Sequence, residues 1–439
     1  MFYIFLSIAI FILSFKRKWY KYLYFIAIVA FILGGRLNKS FFPFSFLSPS
    51  EWTVVILFIV LLSKGLALKR SYILNVTLVD RIYIFFIFCA IIIPIVANFS
   101  DLDTLDIALF KFFVPLKVWV VYRIFYCLLF ESYLRGKLNE DIDLILNLVL
   151  LISAMACLVG ILSLLSIAGI SDLINYIWIM VRRPRLSSTM GGINTGALFF
   201  AICAIISIFQ YIKHNKTFYL IYFSVFMFSV ILTGSLSAMI TLIFAITIFS
   251  MKYLNIKRLI ITLWFLAIFS TLCLAIEPIK NTTDYFIKRR IRQQFQSSHT
   301  YKGIIPSHLV GRYRRWVNLY DYFMEKPIFG YGPKGVPEIS STRVYTHSYY
   351  AFLTIYSGIL GLLAYLFMNY KIVKKLRRLK QFKHEGFLII LIISMYLVSQ
   401  ISQLSFQYAG LSELFGILLA LTALMIKYEI RTDRDGFKQ

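Results

Sequence analysis

KIVKKLRRLKQFKHE, residues 371–385, is a dense basic stretch set between two apolar runs, 348–370 and 387–401. Apolar runs of this kind read as membrane-spanning helices, and the short basic connector reads as a cytoplasmic loop, because Lys and Arg are retained on that side. The same alternation extends over the whole chain. Apolar runs lie near 2–15, 19–34, 51–68, 81–97, 107–130, 142–169, 194–212, 217–233, 235–250, 257–276, 348–370, 387–401 and 409–427. They predict an all-α polytopic membrane protein with about 12–14 transmembrane helices and one long outer loop, 277–346, containing short helices. Composition agrees: of 439 residues, 60% are hydrophobic and 15% charged, whereas soluble domains carry about 25% charged residues. The whole chain, 1–439, reads as a single integral membrane domain.

Two further basic segments, KRKWYK (16–21) and MKYLNIKR (251–258), fall on the inner side with 371–385. NFSDLDTLD (98–106) holds no Lys or Arg and falls outside. The N-terminal MFYIFLSIAIFILSF lacks a basic start and a small-residue cleavage site, so it reads as a first span rather than a signal peptide. The five cysteines have no CxxC spacing, which indicates neither a disulfide framework nor a zinc site.

Two outer connectors, 170–193 and 277–346, are more than turns and form the presumed active-site face. The second carries 12 Lys or Arg against 5 Asp or Glu, an excess on the side where topology does not ask for it. That excess, in a chain of net charge +26, points to anionic partners such as lipid head groups and phosphates, with no nucleic acid expected. Within GRYRRWVNLYDYFMEKPIFGYGP (311–333), Arg312, Trp316, Tyr320 and Met324 follow one helical face. Two readings stand side by side: a helix lying at the membrane interface, and a phosphate-gripping segment in which Arg312 and Arg315 present guanidinium forks. Pro327 stops the helix, and Gly330 and Gly332 can take positive φ so that backbone N–H groups approach an anion. A second cluster, Arg182, Arg183 and Arg185, precedes the small-residue turn SSTMGGINTG. A turn of that kind before a helix suits an oxyanion.

His347 opens the apolar run TRVYTHSYYAFLTIYSGILGLLAYL (342–366), either as a surface capping residue or as a base for a hydroxyl proton. Lys111, Lys117 and Arg123 fall within an expected span; the outer two can snorkel, and Lys117 is a candidate binding residue. Walker, HExxH and paired-Asp signatures are absent, and acidic residues are sparse in both arginine clusters, so no metal or cofactor is expected.

Arg312 and Trp316, then Pro327, Gly330 and Gly332, then His347 and Tyr350 opening a span that continues SGILG at 357–361, resemble the O-antigen polymerase and O-antigen ligase superfamily. RRPRLSSTMGGINTG is similar to that family's outer arginine stretch. Arg185 to Gly196, and Arg292 to Gly303, resemble the arginine–glycine spacing of Wzy-type polymerases. LTGSLSAMITL (232–242) resembles a family segment reading T-G-S-R, but Leu236 stands at the arginine position, which favours a polymerase over a ligase.

The resemblance implies a metal-independent glycosyltransferase of the bacterial inner membrane, multi-pass, with a periplasmic active face. Its donor would be an oligosaccharide on undecaprenyl pyrophosphate, moved to the non-reducing end of another lipid-linked repeat unit. In this scheme Arg312, with Arg185 or Arg292, neutralises the pyrophosphate, and His347 orients or deprotonates the acceptor hydroxyl. Arg182, Arg315, Gly330, Gly332, Tyr350 and Lys117 complete the expected binding surface. Membrane lipids and a chain-length regulator protein are further expected partners. The alternatives are an O-antigen ligase acting on lipid A–core, a lipid-linked oligosaccharide flippase and a structural subunit. A flippase is expected to carry charges inside its spans and two similar halves; here the charges gather in one outer loop.

Overall fold

A computed structural model of the chain describes residues 20–33, 51, 53–59, 75–98, 114–165, 186, 193–253, 300–301, 305–306, 319–334, 348–402 and 410–436, with scattered positions from 260 to 284. In chain order the helices are α1 (Tyr20–Leu33), α2 (Leu78–Ile87), a π turn (Phe88–Ile92), α3 (Ile93–Ala97), α4 (Val114–Leu134), α5 (Leu138–Leu165) and α6 (Ile193–His214). They continue with α7 (Phe218–Thr233), α8 (Leu236–Tyr253), α9 (Tyr349–Leu376), α10 (Lys383–Gln400) and α11 (Leu411–Gly436). A short helix also runs over 319–325. Among the described residues, the small exception to helix is a two-residue antiparallel pair, Thr300–Tyr301 with Ile305–Pro306.

Six helices among the described residues are long and apolar enough to cross a membrane, and α7 is a shorter apolar helix. The chain is an all-α polytopic membrane protein. The expected span at 2–15 lies outside the described residues. The four described cysteines, Cys89, Cys127, Cys157 and Cys203, are free and buried.

The described residues group into two compact units. The first comprises Met1–Asn75, Val120–Tyr285 and Tyr408–Gln439. Its centre is α6, buried almost along its whole length, against which α7, α8 and α5 pack. Two polar contacts lie within it: Lys213 meets Asp143 at 2.8 Å, and Arg123 donates to the Asn75 carbonyl at 3.0 Å.

The second unit comprises Val76–Trp119 and Phe286–Gln407. Thr77 caps α2 through a reciprocal pair with Asp80, so that span begins slightly before the expected 81. Pro94 then explains the π turn. Proline has no N–H and crowds the carbonyl four residues back, so it frees the Ala90 carbonyl and widens the preceding turn. The freed carbonyl does not stay empty, for Ser357 Oγ donates to it at 2.7 Å. Gly361 faces Ala90 at the same place, and its lack of a side chain permits the close approach.

The expected single span at 348–370 is broken. Gly358 stands at φ 64, ψ −170, a backbone region essentially restricted to glycine. Helix 349–357 therefore ends there, and a second helix, 359–376, begins. The rings of Tyr349 and Tyr365 lie 5.4 Å apart, and those of Tyr350 and Tyr365 lie 6.4 Å apart. In an unbroken helix, residues 16 positions apart would be separated by ~24 Å, so the first segment folds back along the second. The segment after the break still supplies 376 − 359 + 1 = 18 residues, or ~27 Å of helix. The apolar run was legible as a span, but the reversal inside it depends on one glycine's dihedral angles.

Candidate functional site

In the second unit, the turn that follows helix 319–325 is docked onto the break in α9. Gly330 and Gly332 both have φ of 66°, so the positive φ expected of this turn is present. The Tyr331 N–H donates to the Ile355 carbonyl at 2.9 Å, and the Ile359 N–H donates to the Pro327 carbonyl at 2.8 Å. The Gly330 N–H bonds to Lys326 at 3.1 Å. Two of the turn's N–H groups are thus engaged within the protein, and the glycines have a packing reason of their own. A Cβ on Gly330 would lie 2.6 Å from the Gly358 nitrogen, and one on Gly358 would lie 2.1 Å from the Ile328 carbonyl oxygen. Backbone meets backbone, and no side chain fits.

Asn98 locks the joint from the other side. Its amide nitrogen donates to the Pro94 carbonyl at 2.8 Å and to the Gly330 carbonyl at 3.1 Å. Its amide oxygen accepts from Lys326 Nζ at 2.8 Å. Lys326 also lies over the Tyr331 ring, 5.1 Å from its centre. The Tyr331 hydroxyl donates to the Glu325 carboxylate; burial first, then that carboxylate, pushes the phenol well above its usual range. Tyr331 therefore remains a donor throughout the physiological pH range.

Helix 319–325 carries both exposed and cavity-lining side chains, and Tyr320 is both. Tyr320 and Met324 are exposed, as the interfacial stripe predicted, and exposed Ile328 and Phe329 extend it. Leu319 and Phe323 line a cavity of about 320 Å³ together with Ser348, Tyr350, Thr354 and Ile355. Ser348 is the N-cap of α9 and is almost fully buried. Tyr350 donates its hydroxyl to the Leu397 carbonyl at 2.8 Å.

In the first unit, Leu186 is fastened to the end of α7. The Leu186 N–H donates to the Leu232 carbonyl at 3.0 Å, and the Leu186 side chain is completely buried. Gly234, at φ 59°, closes α7, and exposed Leu236 opens α8. Leu186 is thereby adjacent to LTGSL, residues 232–236.

Among the expected site residues, the structure places Gly330, Gly332, Tyr350 and Lys117, the last half-buried on α4. Arg182, Arg185, Arg292, Arg312, Arg315 and His347 lie outside the described residues. Sequence reasoning missed Ser348, Asn98 and Gly358. Ser348 carried a usable signal, a serine immediately before a helical run. Asn98 carried none, because its role arises from contacts with residues more than two hundred positions away.

Residues 218–366 match the family model described as O-antigen ligase. The match supports the O-antigen polymerase and ligase superfamily, and with it a membrane glycosyltransferase-like enzyme. No curated protein matches the chain. The O-antigen ligase match takes in Arg292, Arg312, Gly330, Gly332, His347, Tyr350 and the Gly358 break, while Arg182, Arg185 and Lys117 fall before it.

Proposed function

We propose that this protein is an O-antigen polymerase working at the periplasmic face of the inner membrane. It transfers a glycan from undecaprenyl pyrophosphate to the non-reducing end of a second lipid-linked repeat unit. The bond between the donor's anomeric carbon and its pyrophosphate oxygen breaks, and the acceptor hydroxyl oxygen forms the new glycosidic bond. His347 takes or orients the hydroxyl proton, and Arg312, with Arg185 or Arg292, offsets the charge that develops on the departing pyrophosphate. The observation that carries the reading is the meeting of two elements at one cavity: helix 319–325, which the Arg312–Arg315 cluster precedes, and the α9 start at Ser348, to which His347 is joined. Leu236, apolar where the resembling family pattern has arginine, favours polymerase. A ligase acting on lipid A–core is the second reading, favoured by the description of the matching family.

Lysine substitution tests the arginine role. If Arg312 grips pyrophosphate with a two-pronged fork, Arg312→Lys keeps the charge, loses the fork and fails nearly as badly as Arg312→Ala. Were Arg312 only an anchor to lipid, lysine would serve, since each basic residue near an anionic surface contributes only ~1 kcal/mol. Arg314, which would stand ~200° from Arg312 on the expected helix, is the control in which lysine is tolerated. In a deletion strain complemented at matched expression, the Arg312→Lys lipopolysaccharide ladder should collapse to single repeats. A normal ladder from that variant removes Arg312 from the clamp.

A further inference from the structure

Helix α2 and the second arm of α9 run antiparallel within the second unit. Phe85 meets Phe367 with ring centres 6.0 Å apart, Phe86 meets Tyr365 at 5.5 Å, and the Ala90 carbonyl takes the Ser357 hydrogen bond. Rising numbers on one helix thus face falling numbers on the other. Away from the core the pair presents an apolar surface on which Phe85, Phe88, Leu363 and Phe367 are all exposed. At one end that surface becomes basic. Arg81 lies one turn before Phe85 and Lys371 one turn after Phe367, each ~6 Å along its axis in the same direction. Lys374 follows on the exposed side of α9. The two ammonium groups lean back along the helix instead of standing straight out from it. Lys371 Nζ sits 5.0 Å from the centre of the Phe367 ring, and Lys374 Nζ sits 5.7 Å from that of Tyr370. Among the described residues, none of these three cations is paired with a carboxylate. Keeping Lys and Arg on one side of a membrane accounts for their presence, but places no demand on where their charged ends point.

We propose that this face of α2 and α9 binds an anionic phospholipid. The acyl chains lie along Phe85, Phe88 and Phe367, and the head-group phosphate is held by Arg81, Lys371 and Lys374. Cations gathered at the rim of an apolar surface match a molecule that is apolar along its length and negative at one end. An acidic peptide would match the charge but leave the rings uncovered. The connector that follows has a fixed shape, because Leu376, Leu379 and Phe382 are buried beneath it, so the lysines of α9 are held at a set position. None of the proposed lipid contacts lines the cavity beside helix 319–325, and the site stands whether the chain is a polymerase or a ligase.

Native mass spectrometry of the full-length protein in a neutral detergent tests the site, with phosphatidylglycerol and phosphatidylcholine of identical acyl chains as probes. Wild type should bind phosphatidylglycerol at least roughly tenfold more tightly than phosphatidylcholine; each basic residue near an anionic surface contributes about fivefold. The triple variant Arg81→Gln, Lys371→Gln, Lys374→Gln should lose that preference. A second triple variant, Arg377→Gln, Arg378→Gln, Lys383→Gln, removes the same charge from exposed positions of the connector and should keep the preference to within about threefold. Occupancy is read on monodisperse protein, and the comparison of the two lipids on wild type needs no variant at all. Equal binding of both lipids by wild type would overturn the site. Equal loss from both triple variants would also overturn it, reducing the preference to diffuse surface charge. Displacement of the lipid by an equal concentration of inorganic phosphate or of polyglutamate would do the same, since neither carries acyl chains.

Discussion

Gly358→Ala should leave little correctly folded protein. Alanine at φ 64, ψ −170 incurs about 1–3 kcal/mol of backbone strain. Its Cβ would also stand 2.1 Å from the Ile328 carbonyl oxygen, on a backbone that Ile359 and Leu360 already hold by hydrogen bonds. Overpacking of this kind typically costs a further 1–3 kcal/mol or so. The combined roughly 2–6 kcal/mol is large against the about 5–15 kcal/mol that stabilises a typical fold. Gly136→Ala provides the contrast: φ is 70° there too, but nothing lies within 4 Å of an added Cβ. That variant incurs only the left-handed cost, roughly 1–2 kcal/mol. Monodisperse yield in detergent and thermal unfolding of the two variants check the difference. Equal behaviour would mean that α9 runs straight through residue 358.

The second large effect falls on chemistry rather than folding. His347→Ala should insert and fold normally yet lose roughly 10²–10⁴ in transfer rate, the usual contribution of a positioned base. Ser348 supplies the helix cap, so removing the histidine leaves the N-terminus of α9 capped. Normal polymer length from a well-expressed His347→Ala protein would return the residue to the membrane surface with no part in the reaction.

These two residues mark how far the sequence could be read. The spans were legible because bilayer crossing demands long apolar runs, while the T-L-V-D capping box that starts α2 before the expected 81 went unread. The P-x-x-G-x-G and S-G-I-L-G stretches stood out as well, but their purpose did not. Glycines in a turn suggested room for a ligand's phosphate; in the fold, Gly330 and Gly358 let two backbones touch. No local pattern announces such a joint, since its halves lie 28 residues apart and neither requires glycine by itself. The Pro94–Ser357 match was hidden for the same reason. Proline predicts a freed carbonyl, but not which hydroxyl, 267 residues away from Ala90, will satisfy it. Arginine chemistry, by contrast, is written in residue type, so Arg312 and Arg185 were nameable as candidates without any geometry.

Purified protein in proteoliposomes, given only the undecaprenyl-pyrophosphate-linked repeat unit and excess EDTA, most directly tests whether this chain builds polymer. Products of two, three and more units on the lipid carrier, with free undecaprenyl pyrophosphate released for every bond made, are the expected result. Transfer that begins only when lipid A–core is added, with no lengthening on the carrier, would contradict the polymerase and identify a ligase.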